Sequence, residues 1–221
     1  MKIYIITSKL NFRSAGGSVE EIDLIIRTLQ KFGNTVTVIT TFSSENDIPF
    51  EVPYKVIEER LDAPDFMTLQ KAMFRLLRRY EKDADIFHIE AHMFMYSAGL
   101  YRLFRGKTPV AAFFNQYLSC WKQYESSLFP RTRFSFFKKM KMKLRWLAER
   151  SLGVFLANRI DLFSFVSPTL RKMYENFGLR HAETDLVVGD PIDTKKIMRD
   201  AGIYEDSYSK RREHSGPIIL F

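Results

Sequence analysis

MKIYIITSKLNFRSAGGSVEEIDLIIRTLQKFG, residues 1–33, decides the fold. Ile3–Thr7 is a short apolar run of strand type. Residues 17–32 carry Val19, Ile22, Leu24, Ile25, Ile26 and Leu29 at helical spacing, and Gly33 supplies a left-handed C-cap. A strand running through a glycine loop into a helix is the opening of a βαβ unit. The loop itself, with Gly16-Gly17 at the mouth of the helix, lets backbone N–H groups approach an anion, which the helix dipole favours. Lys9 and Arg13 bring full positive charges to the same loop. The dinucleotide fingerprint does not fit. The loop is too long, Glu20 stands at the place of the third glycine, and the next strand ends in Thr40-Thr41 instead of a ribose-binding acid. No Gly-Lys-Ser/Thr follows, so a P-loop is excluded as well. A plain turn that uses glycine for its positive φ remains the alternative.

Outward from this unit the same alternation continues. Strands are expected at Thr35–Thr40, Tyr54–Ile57, Ile86–Ile89, Pro109–Phe114, Leu162–Val166 and Leu186–Val188. An amphipathic helix is expected over 66–82 and further helices over 93–105 and 137–158, and another opens at Ser167-Pro168 (Ser as N-cap, Pro at the first helical position) and closes at Gly178. Strands alternating with helices predict right-handed crossovers and a Rossmann-like, doubly wound parallel α/β sheet. Residues 194–215 are polar and charged, as a linker would be. Gly216–Phe221 then reads as the first strand of a further domain, with 217–221 as a last edge strand of the same sheet as the alternative.

The 34 Lys+Arg exceed the 26 Asp+Glu by eight. Nearly all of the excess sits in residues 131–150, which hold eight basic side chains and one acid, Glu149. The remainder is close to neutral, which excludes a generally basic protein of the histone kind and points to one cationic patch for a phosphate-bearing partner. Cys120 is alone, so an intramolecular disulfide is excluded. The first residues are too short and polar-flanked for a signal peptide, and no apolar run reaches bilayer length. A cytoplasmic protein, at most peripheral to the inner face of the cell membrane, is expected.

Three further features carry chemistry. His88, Glu90 and His92 fall at the carboxyl end of a strand, where open α/β sheets bind ligands. A metal site from these three is disfavoured, because the chain bends into a helix here and a fourth ligand is lacking; none is expected. Asn115 and Gln116 end the next strand, where amides either bond sugar hydroxyls and phosphate oxygens or simply cap the strand. On the basic helix, Phe137, Met140, Leu144, Leu147 and Ala148 cluster within about 100° and are expected to be its core stripe. Lys138, Lys139, Lys143 and Arg145 then lie outward, with Met142 and Trp146 amid them. That arrangement suits a lipid headgroup layer, where each basic residue contributes about 1 kcal/mol. Nucleic acid is not expected, since no known binding motif is present.

Taken in order, the Gly16-Gly17 loop, Asp85-Ile-Phe-His88-Ile-Glu90, Pro109-Val-Ala-Ala-Phe-Phe-Asn115, Asp161-Leu-Phe-Ser-Phe-Val-Ser167 and Leu186-Val-Val-Gly-Asp190-Pro-Ile-Asp193 resemble the N-terminal domain of GT-B glycosyltransferases, especially the retaining family 4. Gly216–Phe221 looks like the first strand of the second domain. The resemblance implies an acceptor-binding domain over 1–193, a linker over 194–215 and a C-terminal domain from 216. It implies donor-phosphate binding at Gly16 and Gly17, acceptor binding by Lys9, Arg13, Glu90 and His92, and a catalytic-site position at Asn115, where many members have His. The substrate would be a nucleotide diphosphate sugar with no resident cofactor, the acceptor a lipid-linked or cell-envelope glycan at an anionic membrane surface, and the fragment alone inactive. A stand-alone doubly wound module that adheres to anionic membrane through its basic helix is the alternative.

Overall fold

The computed structural model describes residues 1–13, 17–61, 63, 65–116, 136–180 and 182–189. Seven strands form one parallel sheet: β1 (Lys2–Thr7), β2 (Thr35–Thr40), β3 (Lys55–Glu58), β4 (Ile86–Glu90), β5 (Val110–Phe114), β6 (Leu162–Phe165) and β7 (Leu186–Val187). Their spatial order is β3-β2-β1-β4-β5-β6-β7. The chain therefore winds outward from β1 to β3, returns, and winds the other way from β4. The reversal lies between β1 and β4, which pair from Ile3↔Ile86 to Ile6↔Ile89. Crevices at such reversals, beyond the carboxyl ends of the strands, are where doubly wound folds hold ligands.

Helices α1 (Gly17–Lys31), α2 (Phe66–Tyr80), α3 (Ala91–Leu103), α4 (Phe136–Ala148), α5 (Val154–Ala157) and α6 (Pro168–Phe177) cover the sheet, with a π-helical turn over Glu149–Gly153 between α4 and α5. Strand alternation sorts the core into two faces. Ile3 and Ile5 of β1 with Val36 and Val38 of β2 pack against Val19, Ile22 and Ile26 of α1. On the other face Ile6, Phe87, Ile89, Phe114 and Phe163 pack with α2, α3 and α6. Each fully buried Leu, Ile or Phe there contributes about 1.5–3 kcal/mol.

Local signals in the sequence act as expected at several ends. Ser167 accepts the Leu170 N–H, Pro168 opens α6, and Gly178 closes it at φ 119°. Gly33, at φ 76°, ends α1 while its N–H reaches the Gln30 carbonyl. Several boundaries moved by one or two residues. The third strand begins at Lys55 because Tyr54 turns into the core, its hydroxyl donating to Asp23 at 2.9 Å. α3 starts at Ala91, directly after β4, without the expected turn.

The helix read as 137–158 shows a larger departure. The stripe expected in the core faces solvent instead: Phe137 is 76% exposed and Leu144 61%, with Met140, Leu147 and Ala148 also exposed. Met142 and Trp146, expected outermost, are half-buried. The helix is held inward by a polar and aromatic side. The Arg145 guanidinium lies 4.9 Å from the centre of the Phe66 ring and pairs at 2.8 Å with buried Glu149. Gly153 packs so close to Tyr96 that a Cβ there would meet the ring at 2.7 Å. Hydrophobic periodicity locates the apolar side of a helix but not the side that docks; here the inward side carries the Arg145–Phe66 contact and the ion pair of Arg145 with buried Glu149.

Candidate functional site at the carboxyl edge of the sheet

Glu90 ends β4 beside the reversal point and is 7% exposed. As the residue before α3 it stands where a side chain could cap the helix, yet it makes no capping bond. Its carboxylate turns to β1, where Oε2 accepts the Ser8 backbone N–H at 3.2 Å. The Thr7 hydroxyl, almost wholly buried, adjoins the same carboxylate without reaching hydrogen-bond geometry. Burial pushes the Glu90 carboxyl above the usual range, only partly offset by the Ser8 N–H and the proximity of the Thr7 and Ser8 hydroxyls.

Around it stand other polar groups with unused capacity. His92 lies in the first turn of α3, and its Nδ1 is buried with no hydrogen-bond partner among the described residues. Burial holds its imidazole down at about 4, so the ring is neutral near pH 7. His88 sits inside β4, tilted against Phe113 at 5.8 Å, and burial lowers it to about 4 too. Asn115 follows β5, and its Oδ1 is likewise buried and unpaired among the described residues. Gln116 contributes backbone, its carbonyl accepting the Tyr174 hydroxyl at 2.8 Å. Buried polar atoms are ordinarily bonded, and Thr7 Oγ1, His92 Nδ1 and Asn115 Oδ1 lack a partner among the described residues, which makes this edge a candidate ligand site. The N-termini of α1 and α3 open on this edge as well, because each helix follows its strand there.

The expected acceptor residues divide. Glu90, His92 and Asn115 stand at the ends of the adjoining strands β4 and β5, with no hydrogen bond joining their side chains among the described residues. Lys9 and Arg13 are instead drawn to the turn after β2, where they pair with Glu45 at 2.5 Å and Asp47 at 3.5 Å. Gly16 and the side chains of Lys138 and Lys139 lie outside the described residues; Gly17 begins α1. Lys143 and Arg145 are exposed. Among the described residues no three His, Cys, Asp or Glu groups gather as they would around a metal ion.

Sequence reasoning missed the residues that brace this edge. Asn46 is the bracket of the β1 loop: its Oδ1 accepts the Leu10 N–H at 2.9 Å, and its Nδ2 donates to Thr40 at 2.9 Å and Glu58 at 2.8 Å. Gln70, buried in α2, donates to the Met93 carbonyl and accepts the Ser97 N–H, fixing the first turns of α3 that carry His92. Polar residues inside an apolar helical stripe were the available signal for Gln70. Nothing local marks Asn46.

The profile of Glycosyltransferase Family 4 matches residues 15–195. No curated protein sequence matches the chain. Among solved structures it resembles HepE of Anabaena in complex with UDP and glucose, at 17% identity over 91% of this chain and 50% of that one, with a TM-score of 0.50. It also resembles the α,α-trehalose 6-phosphate synthase of Burkholderia multivorans, at 11% identity over 96% of this chain and 53% of that one, with a TM-score of 0.51. These likenesses are of fold, and the chain spans about half the length of both. The family match takes in the glycine pair, Glu90, His92 and Asn115, and the chain belongs to Glycosyltransferase Family 4.

Proposed function

We propose that the chain is the N-terminal, acceptor-binding part of a retaining sugar transferase, with residues 194–215 linking it to a second domain that begins at 216. The full enzyme moves a sugar from a nucleotide diphosphate donor to a lipid-linked or cell-envelope acceptor at the cytoplasmic face of the cell membrane. In the reaction the bond from the anomeric carbon to the diphosphate oxygen breaks and one to an acceptor oxygen forms. The acceptor hydroxyl gives up its proton and the nucleoside diphosphate leaves.

The observation that carries this reading is the Glu90 cluster. Neutral His92, the Asn115 amide and a carboxyl whose ionisation burial disfavours supply hydrogen-bonding groups at the ends of adjoining strands beside the switch point. Such a set suits a polyhydroxylated ring better than a bare anion. Glu90 and His92 bind the acceptor, Asn115 lies toward the donor sugar, and Gly16, Gly17 and the α1 N-terminus take the diphosphate. Lys9 and Arg13 lend charge from their ion pairs. HepE, whose fold this chain shares, is seen with UDP and glucose, which supports a nucleotide donor.

The test is sugar transfer by the full-length protein across a panel of nucleotide sugars, read as released nucleoside diphosphate and as anomeric configuration by NMR. Asn115→Ala is expected to lower kcat about 10- to 100-fold. An enzyme that inverts the anomeric centre, or residues 1–221 alone matching the full protein, would overturn the reading.

A further inference from the structure

We propose that the outward side of α4, with Phe137, Met140, Leu144 and Leu147 continued by Leu152 and Phe155, inserts into an anionic bilayer leaflet. This takes from the proposed function only that the protein works at a membrane; it moves the contact from the Met142–Trp146 side to the opposite one.

All six residues are exposed. On a helical projection the four in α4 span about 80°, and Lys141 and Lys143 each fall about 40° beyond one edge. Both lysines are exposed. An apolar stripe bordered by lysines is the pattern of a helix lying in the interface plane, its apolar side about 5–10 Å into the headgroup and acyl boundary while the ammonium groups stay among lipid phosphates. The other side of α4 is committed to the domain through Arg145, Glu149 and Phe66. No helix among the described residues is long and apolar enough to cross a membrane.

Charge selects the occupant. Residues 136–155 contain six basic side chains and one acid, and that acid is Glu149, buried in its ion pair with Arg145. The exposed border is thus wholly cationic. A second copy would set the same cations against these, and residues 117–135 are themselves more basic than acidic. Anionic lipid complements both the stripe and its border.

The experiment is co-sedimentation of the full-length protein with phosphatidylcholine vesicles, with and without equimolar phosphatidylglycerol, in the absence of donor and acceptor. Binding is expected to be about tenfold stronger to the anionic vesicles. Leu144→Asp with Leu147→Asp is expected to lower it about tenfold or more at unchanged melting temperature. Lys141→Glu with Lys143→Glu is expected to abolish the preference for anionic lipid. As a second readout, Leu144→Cys on a Cys120→Ser background, labelled with a polarity-sensitive fluorophore, should shift to the blue on adding anionic vesicles. Undiminished binding by the aspartate variant, or no shift of the label, overturns the proposal. So does a melting temperature lowered by the aspartates, since the stripe would then be covered by protein. Because binding is read without sugar substrates, failure here leaves the transferase reading intact, and failure of transfer leaves this result standing.

Discussion

The Ser8 backbone N–H donates to Glu90 Oε2 at 3.2 Å, although 82 positions separate the two residues in the chain. The bond joins the ends of β1 and β4 at the one place where neighbouring strands lead to opposite halves of the sheet. It also turns the Glu90 carboxyl away from the start of α3, which it does not cap.

Glu90 should make stability depend on pH in a recognisable direction. Burial raises its folded pKa, so its favourable contribution is complete below the ordinary carboxyl range and is lost as pH rises through the folded value. Glu90→Gln, which keeps an acceptor for Ser8 but never ionises, is expected to melt above the wild type at pH about 8, by roughly 2–4 °C per kcal/mol relieved. The gap should close toward pH about 4. A gap that does not change with pH would show that ionisation of Glu90 is not the cause.

The histidines work with the opposite sign. His88 and His92 are both held near 4 by burial, so each favours the folded state above about pH 6.5 and loses that contribution as pH falls toward 4. The loss should amount to about 2–3 kcal/mol per histidine. Their ring C–H resonances are expected to stay in the neutral position from pH 8 to 5 by NMR. His92→Gln should blunt the acid loss of stability.

Asn46→Ala removes one acceptor and two donated bonds that hold the β1 loop to β2 and β3. The expected cost is about 1–3 kcal/mol by urea unfolding, because the Leu10 N–H is left without its partner. Faster hydrogen exchange at Leu10 and its neighbours, with the β4–β5 amides unchanged, would place the loss in the loop.

Gly99 is where α3 meets α5. A Cβ at this position would come within 2.0 Å of the Leu156 carbonyl oxygen, which is backbone and has little room to move. Gly99→Ala is therefore expected to destabilise by about 1–3 kcal/mol or more, measured by denaturant midpoint. Gly189→Ala, with nothing within 4 Å of the added methyl, serves as the neutral control.

Much of this was legible beforehand, and the residues show why. β1, β2, β4 and β5 are apolar runs bounded by turn chemistry, and Ser167, Pro168, Gly33 and Gly178 act on their nearest neighbours. Glu90 and Asn115 could be placed because one ends its strand and the other follows its strand directly. Lys9 and Arg13 could not, because their partners Glu45 and Asp47 are 36 and 34 positions away and no local pattern announces the pairing. α4 was misread for a related reason. Its periodicity is intact, but its orientation depends on Phe66 and Tyr96, which belong to other helices.

The π turn at Glu149–Gly153 sets the azimuth of α4. One residue more than an α-helical turn is accommodated there, so the segment before it is turned about its axis relative to α5 by about 100°. Removing a single residue from that turn would swing the apolar stripe by roughly a quarter turn to the flank of the helix. The length of this turn therefore sets how much of the apolar stripe on α4 faces outward.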